Sequence, residues 1–276
     1  MAVSPQEATA RSRSRLPVLD GDFFRARSQE IITASVIIGL ILAWEVLVRL
    51  LEIPQYLLPG PLAITQRIIS DFDMLLPHMW VTTYEVLIGL GVSIAIGIPL
   101  AIGIVYSSLF ERVAYTIIVA SQTIPKVALA PIIVIWFGYE LQSKVVVAFL
   151  ISFFPIVINT VVGMKSLERE MLYLARSLGA SELQIFLSFR LPKALPTIFG
   201  GLKVATTLAV IGAVVGEFIA ANKGLGYVQL LANGNLDTVL NFATVALLSL
   251  IGIVLFAAVS ILEQLVIRWE PSDSAT

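Results

Sequence analysis

The sequence contains no cysteine, only one histidine and few charged residues. The absence of cysteine excludes disulfide bridges and thiolate metal sites. The single histidine, His78, has no second imidazole with which to share a metal ion, so we interpret it as an interfacial side chain. Charged residues make up only 13% of the 276 residues. We therefore expect no metal site in this chain.

A second absence concerns nucleotide chemistry. The chain contains no Gly-Lys dipeptide, so the phosphate-binding loop G-x-x-x-x-G-K-[ST] is excluded. No catalytic residues are predicted, and the chain is not expected to be an enzyme. Any ATP hydrolysis linked to its function must take place on another subunit.

Long apolar runs fill most of the chain. Hydrophobic residues make up 58% of the sequence, and the mean hydropathy is +0.92. A soluble domain of this size does not bury that much apolar surface. The expected fold class is all-α, a polytopic membrane protein with six transmembrane helices. The predicted spans cover residues 31–50, 80–106, 113–136, 144–164, 197–220 and 240–267.

The remaining segments divide the chain. Residues 1–28 are polar and arginine-rich and are expected to form a tail. Residues 29–79 are expected to hold the first span and an outer segment whose prolines rule out a continuous helix. Residues 80–268 are expected to form a core of five spans, and residues 269–276 a second tail.

Residues 165–196 are the one long polar interruption of the apolar pattern. Eight charged side chains fall here: Lys165, Glu168, Arg169, Glu170, Arg176, Glu182, Arg190 and Lys193. Apolar residues at helical spacing before and after Gly179 predict two short amphipathic helices at an angle. Gly179 permits a left-handed turn between them, and Ser181 is a candidate N-cap. Pro192 and Pro196 are expected to close the segment and begin the next span.

These residues resemble a known family. The spacing of Tyr173-Leu174-Ala175, Gly179, Phe189 and Leu191-Pro192 resembles the EAA loop of permease subunits in type I bacterial ABC importers. Tyr173 stands where the family often has Glu, and Leu174 where it often has Ala. The run LPGP at 58–61 and the stretch SQTIPKVALAPIIVIWFG are similar to the nitrate/sulfonate/taurine branch of the binding-protein-dependent transport permeases. The resemblance implies a MetI-like permease core with cytoplasmic coupling helices.

In that family the EAA loop docks into a groove on the ATPase subunit. We therefore name residues 165–196 the coupling segment. The resemblance implies ATPase coupling by Tyr173, Leu174, Ala175, Arg176, Leu178, Gly179, Glu182, Leu183, Phe186, Leu191 and Pro192. Leu174, Leu178, Leu183 and Phe186 are the predicted apolar docking surface, with Arg176 and Glu182 at its rim. The alternative is that these four apolar residues are buried against the protein's own spans.

The third span carries the candidates for a transport pathway. Pro125 and Pro131 must break or kink it, and freed backbone groups are tolerated at that depth only beside protein or water. The pathway candidates are Ser121, Gln122, Thr123, Lys126 and, on the fifth span, Glu217. Two readings stay open for Lys126: a pathway charge, or a cation paired with an acid or a carbonyl. Glu217 could belong to an outer gate or to packing.

Basic residues are distributed unevenly between the predicted loops. They cluster in residues 1–28, at Arg112, in the coupling segment and at Arg268, whereas the opposite side holds Arg67, Lys144 and Lys223. The positive-inside rule then places both termini and the coupling segment in the cytoplasm. Trp80, Trp136 and Trp269 fall at predicted span ends, as an aromatic belt requires. The expected location is the bacterial inner membrane.

The resemblance also implies an assembly. Two copies of this chain would enclose a pathway about a twofold axis, with two ATPase subunits binding ATP and Mg, and a periplasmic or lipid-anchored substrate-binding protein. The chain itself is expected to bind no cofactor and no nucleic acid, and to contact membrane lipid. The cargo is expected to be a small polar solute.

Two questions stay open at this stage. The C-terminal run GEF…GLGY…NGNLDT looks more like permeases for pyrimidine thiamine precursors or riboflavin than like sulfonate permeases, although nitrate and taurine remain candidates. An ion-gradient-driven secondary transporter or a channel is the alternative class. Such carriers often have two similar halves, and no match between the halves is found in this sequence.

Overall fold

The structure is a computed structural model that describes the backbone of residues 21–269, and side chains within that range except at 21–30, 108 and 115. All regular elements in the described range are helical. In chain order they are α1 Gly21–Leu50, α2 Pro61–Ser70, α3 Phe72–Tyr106, α4 Ser108–Phe110, α5 Thr116–Ser121, α6 Lys126–Phe137, α7 Leu141–Lys165, α8 Arg169–Ser177, α9 Glu182–Ile185, α10 Leu191–Ala220, α11 Leu225–Gly234 and α12 Thr238–Val266. Two π-helical turns, Glu111–Tyr115 and Phe186–Arg190, precede α5 and α10.

The predicted spans are recognisable among these helices. Within the described residues, five helices are long and apolar enough to cross a membrane, and a sixth span results if one bent helix pair counts as one. The bent pair is Glu111–Ser121 with Lys126–Phe137, at an angle of 98°. The expected break at Pro125 is therefore confirmed. Pro131 lies inside α6, where the helix continues through it.

Three helices begin earlier than the predicted spans. The second span was expected to begin at residue 80, but α3 begins at Phe72; α1 likewise begins at Gly21, within the predicted tail. The fifth span was expected to begin at residue 197, but one helix runs over Glu182–Ala220. Hydropathy detects the apolar part of a helix, whereas backbone hydrogen bonding continues beyond the membrane. Pro192 and Pro196 do not interrupt this helix, which contains the π-helical turn just before them.

Helices α3, α7 and α10 pack closely together and form the core. Side chains from these helices, together with α11 and α12, form the largest buried apolar cluster. Glycines bring the backbones together: a Cβ added at Gly212 would lie 2.6 Å from Ala148 Cα, and one at Gly216 would lie 3.0 Å from Lys144 Cα. The Gly212-x-x-x-Gly216 spacing thus lets α10 pack closely against α7.

Helix α1 contrasts with this core. Only 6% of its apolar window is buried, which suits a helix surrounded by lipid. Its C-terminal end is attached through Glu45, whose carboxylate pairs with Arg49 at 2.6 Å and accepts a hydrogen bond from the Leu62 amide at 3.0 Å. Glu45 thus faces the protein's own α2 and does not extend freely toward solvent.

Candidate coupling surface and distal polar cluster

The coupling segment folds as two short helices around a sharp turn. Gly179 adopts φ +79°, the left-handed conformation that side chains resist. Ser181 then caps α9: its Oγ accepts from the Gln184 amide, and the Gln184 side chain accepts from the Ser181 amide. Both expectations for this turn are confirmed. Arg176 donates to Glu182 at 2.9 Å, which links α8 to α9 across the turn.

Large apolar side chains are exposed on both sides of this turn. Leu178 is 77% exposed and Leu183 66%, and Tyr173 and Leu174 are exposed as well. Exposed leucines flanked by an ion pair are unusual unless a membrane or a partner covers them. We name Tyr173, Leu174, Leu178 and Leu183 the coupling surface.

Other residues predicted for coupling lie behind this surface. Ala175 is buried, and Phe186 is half-buried with its ring 6.1 Å from that of Tyr106 at the end of α3. Leu191 and Pro192 are half-buried in the first turn of α10. Burial against the protein's own helices, the alternative for the apolar residues, therefore describes Phe186. It does not describe the three leucines.

The coupling segment is attached to the membrane helices at several points. Lys165 pairs with Glu111 in the π-helical turn before α5. The guanidinium of Arg190 lies 5.1 Å from the Tyr106 ring centroid, over its face. These contacts join the coupling segment to α3 and to the π-helical turn before α5.

The predicted pathway residues are divided between two places. Ser121, Gln122 and Thr123 lie at the bend between α5 and α6, where the serine and threonine hydroxyls donate to carbonyls of the preceding turn. Lys126 Nζ lies 4.4 Å from the ring centroid of Phe154, so its partner is an aromatic face rather than an acid. Glu217 is buried and lies apart from these residues, so the structure does not bring it together with the other pathway candidates.

Glu217 belongs to a buried group of polar residues at the end of the bundle opposite the coupling segment. We name this group, His78, Thr82, Glu85, Lys144 and Glu217, the distal polar cluster. Side chains of this cluster accept hydrogen bonds from the first backbone amides of α11, which have no partner within their own helix. The Gly226 amide donates to Glu217 Oε2 at 2.5 Å, the Leu225 amide to Thr82 Oγ1 at 2.8 Å, and the Gly224 amide to His78 Nδ1 at 3.0 Å.

Helix α11 is therefore attached to α3 and α10 by side chains. Thr82 Oγ1 also donates to Glu217 Oε1 at 2.6 Å, so both carboxylate oxygens of Glu217 accept hydrogen bonds. A negative group at a helix N-terminus is stabilised by the helix dipole. Gly224 has φ +108°, and a Cβ there would lie 2.1 Å from Glu217 Oε1, so only glycine fits this contact.

The remaining members of the cluster form an ion pair that the sequence did not predict. Lys144 Nζ lies 3.4 Å from Glu85 Oε1, and the two side chains are 7% and 1% exposed. Lys144 was expected in an outer loop, but α7 begins at Leu141, so the lysine lies inside that helix. Acids and a lysine within apolar stretches are the signal that could have suggested this pair, since such charges require partners.

The chain has several helices that are long and apolar enough to cross a membrane, and one helix pair among them is bent. It also carries the exposed coupling surface, which is joined to those helices. These features define a multi-pass membrane transport protein. The model of the family "binding-protein-dependent transport system inner membrane component" matches residues 93–269. The chain belongs to this family. It is a non-catalytic membrane subunit, a permease of an ABC transporter.

Named relatives agree with this assignment. The chain is 43% identical over 231 residues to the formylaminopyrimidine transport permease protein ThiX of Halalkalibacterium halodurans, covering 83% of this chain and 92% of that protein. It is 40% identical to the riboflavin transport system permease protein RibX of Chloroflexus aurantiacus, covering 84% and 88%. It is 31% identical to the putative aliphatic sulfonates transport permease protein SsuC of Escherichia coli, covering 85% and 90%.

A solved structure has the same fold. A chain of the MetNI methionine ABC transporter, in an inward-facing conformation, matches with a TM-score of 0.59 at 19% identity, covering 72% of this chain and 97% of that chain. The expected MetI-like permease core is thereby confirmed.

Proposed function

We propose that this chain imports a small heteroaromatic solute and couples its passage to ATP through the coupling surface. Two copies would enclose the pathway, two ATPase subunits would bind ATP and Mg, and a periplasmic or lipid-anchored binding protein would deliver the cargo. The observation that carries the proposal is the exposure of three leucines around a rigid, capped turn outside the membrane helices.

The coupling surface has the composition of a docking site. Leu174, Leu178 and Leu183 offer apolar contact area, and the Arg176–Glu182 pair holds the two short helices in one arrangement. Apolar contacts in the centre of an interface with charges at its rim are the usual design of protein interfaces. ATP-driven closure of the ATPase pair would displace this surface, and its contacts with α3 and α5 would carry the displacement to the spans.

The charge distribution supports a cytoplasmic position for this surface. Five basic residues lie in the coupling segment, and Arg112 and Arg268 lie on the same side in the predicted topology. Loops rich in lysine and arginine stay in the cytoplasm. We place the protein in the bacterial inner membrane with both termini in the cytoplasm, where the coupling surface meets ATP-binding partners.

The cargo class follows from the relatives. Identity is 43% to a formylaminopyrimidine permease and 40% to a riboflavin permease, but 31% to an aliphatic sulfonate permease. Similarity in a permease suggests similarity in cargo, so a flat heteroaromatic compound is preferred over sulfonates or nitrate. Ser121, Gln122, Thr123 and Lys126 at the α5–α6 bend are the proposed pathway residues.

The test changes the coupling surface without touching the bundle. In proteoliposomes holding the complete transporter, the double substitution Leu178→Asp and Leu183→Asp should reduce ATP-driven uptake about tenfold or more and weaken co-purification of the ATPase, because interface anchors carry most of the binding free energy. The matched control is Leu236→Asp, since Leu236 is 82% exposed on the opposite side.

Retained co-purification and uptake in the double variant would contradict the docking assignment. Uptake that continues without any ATPase but collapses when ion gradients are removed would favour the alternative class, a secondary transporter. Loss of uptake in Leu236→Asp to the same degree would mean that any added charge is harmful and that the coupling surface has no special role.

A further inference from the structure

A cavity of about 470 Å³ lies at the end of the bundle opposite the coupling segment. We name it the distal cavity, and its main lining residues are Trp80, Tyr84, Glu85, Glu140, Lys144 and Lys223. Its volume falls within the range of small-molecule sites, about 300–1,000 Å³. In the predicted topology this end faces the side from which cargo arrives.

The floor of the cavity has unused hydrogen-bonding capacity. Lys144 is nearly buried, and among the described residues its ion-pair partner is Glu85 at 3.4 Å, longer than a charge-assisted hydrogen bond of about 2.8 Å. A lysine ammonium carries three donors. Glu85 Oε2 is also buried and has no hydrogen-bond partner within the described part of the chain. The ammonium therefore keeps donor capacity toward the cavity, whereas Glu85 Oε2 is enclosed by the protein and out of a ligand's reach.

The wall of the cavity is aromatic. Trp80 and Tyr84 are one helical turn apart on α3, so they share a face of that helix. Trp80 is 70% exposed and Tyr84 50%, which leaves ring surface available for contact. Aromatic side chains bind flat rings by stacking and edge contacts, whereas small aliphatic anions gain little from them.

The rim is charged but balanced. Lys223 and Glu140 are both exposed at the mouth of the cavity, one from the segment before α11 and one from the residue before α7. With Lys144 and Glu85 on the floor, the lining contains two basic and two acidic side chains. A site balanced in this way does not favour a strongly anionic ligand.

We propose that the distal cavity is a reception site on the permease for a planar heteroaromatic ligand whose edge carries a hydrogen-bond acceptor. The acceptor would meet Lys144, and the ring would lie against Trp80 and Tyr84. This inference rests on the proposed importer function and adds a site on the permease itself to the specificity of the binding protein. It places the first contact with cargo roughly 40 Å from the coupling surface, because α3 rises about 1.5 Å per residue between Trp80 and Tyr106.

The experiment measures binding without transport. The full chain, co-purified with its ATPase in nanodiscs and without binding protein, is titrated with riboflavin by equilibrium dialysis. Saturable binding is expected, and Trp80→Leu should weaken it about tenfold, the effect of losing one ring-stacking contact. Trp136→Leu is the matched control because Trp136 is 74% exposed outside the cavity, and it should bind within about twofold of the parent protein.

A competition series tests the ligand class. Formylaminopyrimidine should displace riboflavin, and taurine should not at the same concentration. Lys144→Arg keeps the charge but changes its shape, so it should weaken binding while the protein still elutes as a monodisperse complex.

The outcomes separate the site from the proposed function. The reception site would be overturned if riboflavin did not bind saturably, or if Trp80→Leu and Trp136→Leu weakened binding equally. Either result would count even if ATP-driven uptake is intact. Equal competition by taurine would overturn the heteroaromatic class. Cavity binding that persists in a protein with no ATP-driven uptake would leave the site standing and contradict the proposed function.

Discussion

The two ends of this molecule use the same residue types in opposite ways. At the distal end, Glu217 and Lys144 are buried among apolar helices, whereas at the coupling end Glu182 and Arg176 are exposed beside exposed leucines. The buried acid Glu217 has hydrogen-bond donors on both oxygens from its own chain. The exposed leucines have no such cover within the described residues.

The buried residues at the distal end stabilise the fold, whereas the exposed residues at the coupling end are available to a partner. A buried polar group that the chain satisfies by itself contributes to the fold, and removing one member leaves the others without partners. An exposed apolar group gains its stabilisation only when something else covers it. Substitutions at the distal end should therefore lower stability, and those at the coupling end should lower transport while leaving stability nearly unchanged.

The largest expected effect tests the buried end. Glu217→Ala removes the acceptor for Thr82 and for the Gly226 amide, so the free energy of unfolding should fall by about 1–3 kcal/mol for each buried donor left unsatisfied. Thermal unfolding of the detergent-solubilised chain measures this. The control is Glu182→Ala, which breaks an exposed ion pair and should cost about 0–1 kcal/mol. If both variants lost a similar free energy of unfolding, the two ends would not differ in how their charged residues contribute to stability.

The next effect tests the close packing beneath the distal cluster. In Gly212→Ala the new methyl group would lie 2.6 Å from Ala148 Cα, so α7 and α10 must separate, at a cost of about 1–3 kcal/mol. The matched control is Gly200→Ala on the same helix, where nothing lies within 4 Å. That variant should be neutral or slightly stabilised, since alanine is the better helix former. Destabilisation of the control by the same amount would argue against the packing explanation.

A smaller effect on stability, with a larger one on transport, is expected at the coupling turn. Gly179→Val forces a β-branched residue into a left-handed conformation, which costs about 1–2 kcal/mol and shifts α8 relative to α9. ATP-driven uptake should fall much more than the unfolding temperature does. Gly179→Asn tolerates this conformation better and should retain uptake. Normal uptake by the valine variant would mean that the angle between the two helices is unimportant.

The smallest effect concerns the cap of α9. Ser181→Ala removes the capping box and should weaken this short helix by about 1 kcal/mol. Amide hydrogen exchange over residues 182–185 should accelerate, with global stability unchanged. Ser177→Ala is the control, since Ser177 bonds the Leu174 carbonyl behind it and caps no helix start. Unaltered exchange in Ser181→Ala would mean that the adjoining π-helical turn holds α9 in place.

Local signals were sufficient for several features of the molecule. The left-handed Gly179, the Ser181 cap and the Arg176–Glu182 pair depend on residues within about ten positions of one another, so their chemistry can be read along the chain. The break before α6 likewise followed from Pro125. The start of α3 at Phe72 and the continuity of the helix from Glu182 to Ala220 were not predicted, because hydropathy does not register where hydrogen bonding stops.

The amino-acid sequence by itself determined the class of this protein. Its apolar runs require a membrane, and its polar segment at 165–196 resembles the EAA loop of the permease family. Only the tertiary structure decided the distal polar cluster, in which Glu85, Lys144 and Glu217 come together from three helices far apart in the chain. It also separated half-buried Phe186 from exposed Leu178 and Leu183. The reason is physical: burial and pairing across helices depend on which faces pack together, and periodicity along one chain does not specify a neighbour.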